Sequence, residues 1–159
     1  MIPFEMVAID SIPLKCTVVV PDPEAPVRDV LDRWSDVGLN RPALVVVPNT
    51  EQDIIDAIHY AKNTGLKLIP GGGGHAPFVP INEKTLYLDL KRFDKVVLGA
   101  SQNQARITFG GGALTGQVIE ACTSQGFYTT WTNSYGVGMV GSILGGGSVS
   151  SRIASADTC

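Results

Sequence analysis

Apolar and polar positions change period along this chain, and the changes mark its elements. ALVVV, ending at Pro48, is a β-branched run that predicts a buried strand. Thr50 stands where a helix N-cap belongs, with Asp53 in the first turn. Ile54, Ala57, Ile58 and Ala61 then recur at helical spacing on one face, and Gly65 suits a left-handed helix stop. LKLI predicts a second strand, which runs straight into Pro70 and four glycines. The unit reads strand, helix, strand, glycine loop.

Before this unit, Thr17–Val20 predicts a short strand stopped by PDPEAP. Val27–Trp34 predicts a helix with Val27, Val30, Leu31 and Trp34 on one face. After the unit, TLYLDL alternates as a strand, and KVVLGA and ARITFG flank the polar turn SQNQ as a hairpin. Leu114–Ser124 predicts a second helix, with Leu114, Val118, Ala121 and Cys122 on one side and Gly126 as its stop. FYTTW predicts another strand, followed by another glycine loop. The second half thus repeats the architecture of the first without sequence identity. Two glycine loops are left where each can face a shared ligand. The pattern predicts an α+β fold with two lobes. The first, about 26–80, is a small sheet carrying the Thr50–Thr64 helix. The second, about 81–159, is a mainly antiparallel sheet carrying the 114–124 helix. Residues 1–32 form a lead-in.

Composition narrows the partners. The net charge of −3 gives no electrostatic case for nucleic acid or an anionic membrane surface. No apolar run approaches the roughly 18 residues of a membrane span. The start, MIPFEMVAIDSIPLK, carries Glu5 and Asp10 and lacks a basic segment before an apolar stretch. No secretory leader is expected, and the cytoplasm is the expected location. Cys16, Cys122 and Cys159 lie too far apart to suggest a disulfide framework or a zinc site.

Glycine changes the picture most. Thirteen of the 18 glycines fall in four clusters: Gly71–Gly74, Gly110–Gly112, the trio Gly136, Gly138 and Gly141, and Gly145–Gly147. Such loops aim several backbone N–H groups at one point and let a phosphate approach the backbone. PGGGGH lacks the Lys-Ser/Thr of a P-loop. GVGMVG fits G-x-G-x-x-G, but Asp157 follows no second strand, which argues against a nicotinamide-type Rossmann site. Any single loop can equally be a plain turn. Four loops at the ends of patterned elements favour a ligand. His75 closes the first loop, and imidazole can bond covalently to a cofactor. His59, inside the first helix, reads as a surface side chain.

RWSDVGLNRPALVVVPNTEQDIIDAIHYAKNTGLKLIPGGGGH, LYLDLKRFDKVVL, ARITFGGGALTGQVIEAC and GVGMVGSILGGG follow one another in a particular order. In that order they resemble the FAD-binding (PCMH-type) domain of FAD-linked oxidases, the vanillyl-alcohol-oxidase type and its berberine-bridge-enzyme-like branch. The resemblance covers about residues 33–148. It implies that FAD is the cofactor, with its pyrophosphate on the amides of Gly71, Gly72, Gly73 and Gly74. It implies covalent attachment of the flavin through His75. The position of the second, cysteine tether of some members is about Ser134, so the double tether is absent. Gly136, Gly138, Val140 and Gly141 resemble the segment that runs past the flavin, and Gly145 and Gly146 the turn after it. A basic or polar residue often precedes the family's Gly-Gly-His; here that residue is glycine.

The resemblance fades after Gly147. Arg152 and Asp157 stand near the family's Gly-Arg and acid, without its glycine-tyrosine-glycine character. The FAD domain therefore reads as truncated, with no substrate domain and no assignable catalytic base. Tyr128 reads as strand packing, and Tyr135 as either flavin-side or solvent-side. Two functions stay open. One is the FAD-binding domain of an oxidase that takes hydride from an alcohol, sugar or secondary metabolite and passes electrons to oxygen. The other is an inactive paralogue that folds but holds flavin weakly or not at all. A phosphate-binding module for another nucleotide is a third, weaker reading. The 159-residue chain alone is expected to turn over no substrate, because catalysis also needs a donor pocket and a base.

Overall fold

The computed structural model describes residues 12–101 and 104–147. By its internal contacts the chain divides into two units. Among the described residues, the first holds 12–70 and 77–89, and the second holds 71–76 and 90–147.

The first unit is built on a four-stranded sheet of β1 (Thr17–Val19), β2 (Leu44–Val47), β3 (Lys67–Gly71) and β4 (Thr85–Asp89), in the order β1-β2-β4-β3. β1 runs antiparallel to β2, with Thr17 opposite Val47, and β2 runs parallel to β4, with Leu44 opposite Leu86. All four β2 residues are buried, as a continuous β-branched run in the interior of a sheet requires. One face of the sheet sends Val45, Val47 and Tyr87 into a cluster with Leu31, Ile69 and Ile81. Helix α1 (Glu51–Thr64) packs on β4.

The start and stop signals of α1 act as read. Thr50 Oγ1 accepts from Asp53 N at 3.2 Å, while Asp53 Oδ2 accepts from the N–H groups of Asn49 and Thr50, each at 2.9 Å. Gly65 closes the helix at φ +71°. The buried stripe is narrower than the spacing implied. Ala57 and Ala61 are inside, but Ile58 is 48% exposed, because the small alanines bring the helix close and leave Ile58 on the flank.

Two readings of this unit need correction. Val27–Trp34 is a single 3-10 turn, Val27–Asp29, and not a helix. Leu31 is buried in the core, but Trp34 is 66% exposed, so the four residues do not share a buried face. The unit also runs to Asp89, past the expected boundary near 80, because β4 lies between β2 and β3. The lead-in supplies β1 and Val27, which packs against the core.

The second unit contains the hairpin of β5 (Val96–Ser101) and β6 (Gln104–Phe109), paired from Val96 with Phe109 to Ser101 with Gln104. Helix α2 (Thr115–Thr123) packs on β5, and Gln117 Oε1 accepts from Leu114 N at 2.7 Å to satisfy its first turn. Gly126, at φ +77°, follows the helix. Ala113 and Val118 of this region join Met139 in a small core, covered by Val96, Ile107 and Phe109.

FYTTW forms no strand in the structure. Among the described residues no ladder reaches it, so its alternation has no partner to satisfy it. The loop expected at 136–147 is half helical: Met139–Leu144 is a short helix, α3. The proposed architectural repeat of the first half therefore fails at both places. Arg152, Asp157 and Cys159 lie outside the described residues.

Candidate functional site

Within the second unit, three of the four glycine clusters meet backbone to backbone. A Cβ built on Gly72 would lie 2.7 Å from Gly111 O. One on Gly73 would overlap Gly138 N and come within 3.0 Å of Gly136 O. One on Gly110 would overlap Phe93 O, and one on Gly112 would overlap Leu90 O. These glycines let chain segments approach to a distance that any side chain would prevent. Gly136 and Gly141 are different, because a Cβ there meets nothing within 4 Å.

The first loop leaves β3 at Gly71, whose carbonyl accepts from Leu90 N at 2.8 Å. Gly71 is buried, Gly72 is exposed, and Gly73, Gly74 and His75 are half-buried. Gly74 has φ +63°, a conformation that favours glycine. Among the described residues, the N–H groups of Gly72, Gly73 and Gly74 donate to no backbone carbonyl. Three successive amide donors on a partly exposed loop are the raw material of an anion-binding concavity.

The second loop is pinned to the start of α2. Thr115 N donates to Val137 O at 2.9 Å and Gly116 N to Tyr135 O at 3.0 Å. The Thr115 and Thr132 hydroxyls share a buried 2.8 Å hydrogen bond, and each also lies 3.0 Å from a loop carbonyl, Val137 O and Ser134 O respectively. Met139 N donates to Ala113 O at 2.9 Å. The first amides of α2 are thus consumed inside the fold.

Sequence reasoning placed Gly71–His75, Ser134, Gly136, Gly138, Val140, Gly141, Gly145 and Gly146 at one site. The structure brings Gly73 against Gly136 and Gly138. Ser134 and Gly136 are exposed, Gly138 is buried as the residue preceding α3, and Val140 and Gly141 lie within α3. Gly145 and Gly146 form the turn after α3, Gly146 at φ +66°, and neither meets the first loop. Gly111, Thr115 and Thr132 were missed as site-builders. The Gly110–Gly112 cluster was visible in the sequence; the two threonines carried no signal beyond their type.

Tyr128 is 62% exposed and does not pack as a strand residue; Tyr135 is 71% exposed, with its ring against Gly116. A cavity of about 320 Å³ in this unit is lined by Ile107, Phe109, Trp131, Met139 and Ile143 among others, and by no residue of the first loop. Burial pushes the Cys122 thiol up and keeps it protonated, which makes it a poor nucleophile.

Residues 42–159 match the family described as the FAD binding domain. The chain belongs to that family. It is similar to the FAD-linked oxidoreductase hasG of Aspergillus fumigatus, 30% identical over 130 residues that make up 81% of this chain and 27% of the relative. Its fold is similar to that of 6-hydroxy-D-nicotine oxidase from Arthrobacter nicotinovorans, with a TM-score of 0.72, 21% identity, and coverage of 85% of this chain and 29% of that one. It is also similar to glucooligosaccharide oxidase from Acremonium strictum, described with a 6-S-cysteinyl, 8α-N1-histidyl FAD. There the TM-score is 0.64, the identity 23%, and the coverage 80% and 27%. The chain thus spans a little over a quarter of these relatives, 27% of the first and 29% of the second.

FAD is the family's cofactor, and the first loop fits its diphosphate. The loop offers unspent amide donors and has no carboxylate at positions 71–76. Among the described residues no cluster of His, Cys, Asp and Glu suits a metal ion, and no helix is long and apolar enough to cross a membrane.

Proposed function

We propose that this chain is the FAD-binding part of a flavin-dependent oxidase that takes hydride from an alcohol, sugar or secondary metabolite and passes the electrons to oxygen. The observation that carries this reading is the run of three unspent amide donors at Gly72–Gly74, backed by other glycine backbone. Those amides hold the diphosphate without a side-chain clamp. His75, directly after them, would be the attachment point: its imidazole nitrogen would replace one hydrogen of the 8α-methyl carbon, the proton being lost and the electron pair passing to the flavin ring and on to oxygen. The histidyl attachment named for the Acremonium strictum oxidase supports this assignment. Ser134, Gly136, Val140 and Gly141 run along the ring system; with serine at 134, a cysteinyl second bond does not form there. Bound FAD supplies the hydride acceptor, and the chain binds and orients it. No residue of this chain is given the role of catalytic base.

Incubation with FAD followed by desalting should leave a flavin absorption band on the protein. Mass spectrometry should place the adduct on the peptide holding His75. His75→Ala should abolish the adduct and spare non-covalent binding. An adduct on Cys122 or Cys159 overturns the assignment. A folded chain that captures no flavin favours the inactive-paralogue reading, and a screen with other nucleotides then tests the phosphate-module reading.

A further inference from the structure

Gly138 has backbone angles of φ −65° and ψ 120°, which suit any L residue. Conformation gives no reason for glycine here, but space does. A Cβ at Gly138 would lie 2.5 Å from Gly73 N and 3.2 Å from Gly73 Cα. Gly138 is also buried, while Gly136, two residues earlier, is exposed and has open space where a Cβ would go. The backbone around Gly138 is tied down on both sides, by Thr115 N to Val137 O and by Met139 N to Ala113 O, each at 2.9 Å. Gly73, packed on it, donates to no backbone carbonyl among the described residues.

We propose that Gly138 is a positioning residue. Its bare backbone is the floor on which the Gly72–Gly74 loop rests, and it sets the height at which the three amides meet a diphosphate. Gly138 itself, being buried, does not touch the ligand. This deepens the functional reading above and rests on it. Val137 and Met139 on either side of Gly138 are hydrogen-bonded, whereas Gly72–Gly74 donate to no backbone carbonyl among the described residues, so a methyl group at 138 displaces the loop by roughly 1 Å, the distance needed to restore ordinary contact.

The full chain without ligand gives the first measurement. Amide exchange followed by mass spectrometry should speed up severalfold in the 71–76 peptide of Gly138→Ala and stay at the wild-type rate in Glu120→Ala, a change on the exposed face of α2. ADP then probes the loop, because it carries the diphosphate and lacks the flavin ring. Gly138→Ala should weaken ADP and FAD alike, by about tenfold, since a displacement of this size costs a positioned contact at least that much. Unchanged exchange in Gly138→Ala overturns the proposal. So does ADP affinity that survives while FAD affinity falls, because Gly138 would then act on the ring portion. If Gly138→Ala does not fold, the wild-type chain decides: ADP should slow exchange in the 137–141 peptide as well as in 71–76, and protection confined to 71–76 overturns the proposal. Failure of the functional reading shows itself separately, as a wild-type chain that binds neither ligand, and it takes this proposal with it.

Discussion

The two units reach order by different means. The first buries a continuous apolar sheet: Leu31, Ile81, Leu86 and Val46 are all fully inside. The second has a two-stranded hairpin, a core of Ala113, Val118 and Met139, and a set of glycines in backbone contact. Apolar packing tolerates exchange of one shape for another of similar volume. A backbone contact made possible by glycine tolerates no added atom. The first unit should therefore forgive conservative changes, while the second should lose stability at a single added methyl.

Each unit carries one of the two tryptophans, Trp34 in the first and Trp131 in the second, so Trp→Phe backgrounds can report the units separately. The largest expected effect is that of Leu86→Ala, which empties a fully buried site between two strands. It should cost about 3 kcal/mol in urea unfolding, seen in the Trp34 signal. An equal shift in the Trp131 signal would show that the units unfold as one and would break the comparison. Gly112→Ala comes next, with a Cβ that would overlap Leu90 O. It should cost about 2 kcal/mol in the Trp131 signal. A variant as stable as the wild type would mean that these contacts relax freely.

The smallest effect is at the start of α1, where Thr50→Ala should cost about 1 kcal/mol. Asp53 sharpens the same point through pH. The Asn49 N–H above all holds its carboxyl below the ordinary carboxylate range; desolvation opposes it, and the Thr50 N–H and hydroxyl add to the lowering. A lowered folded-state value means a contribution that is present above the unfolded-state value and lost as pH falls through the folded one. Asp53→Asn should therefore lower stability at neutral pH and flatten the acid limb, so that the two unfolding curves converge in acid. Parallel curves down to low pH would remove Asp53 from the account.

The first unit was the more legible in sequence because its signals are local. ALVVV, the Thr50 cap with Asp53, and Gly65 each act through neighbours within a turn, and each forms as read. Val27–Trp34 misled because helical spacing also fits a chain that drops Leu31 into a core and turns Trp34 outward. In the second unit the hairpin and α2 were legible, but FYTTW alternates like a strand and finds no partner, a non-local condition that alternation cannot reveal. The glycine clusters were legible as special positions. Their division into contacts with other backbone, as at Gly73 and Gly138, and open positions, as at Gly136 and Gly141, depends on tertiary distances and leaves no mark in the spacing.

The position of β4 between β2 and β3 bears on the order of assembly. The chain passes from the first unit to the second at 70–71, returns at 76–77, and leaves again at 89–90. β2, α1 and β3 are synthesised first, yet their sheet lacks its inner strand until residues 85–89 have followed the glycine loop out of the ribosome. Domains generally fold as units, earlier ones first, during synthesis. Here the Gly71–Gly74 loop belongs to the later unit but is made before the earlier one can close. For a time during synthesis it is an open span with nothing yet made for Gly73 to rest on.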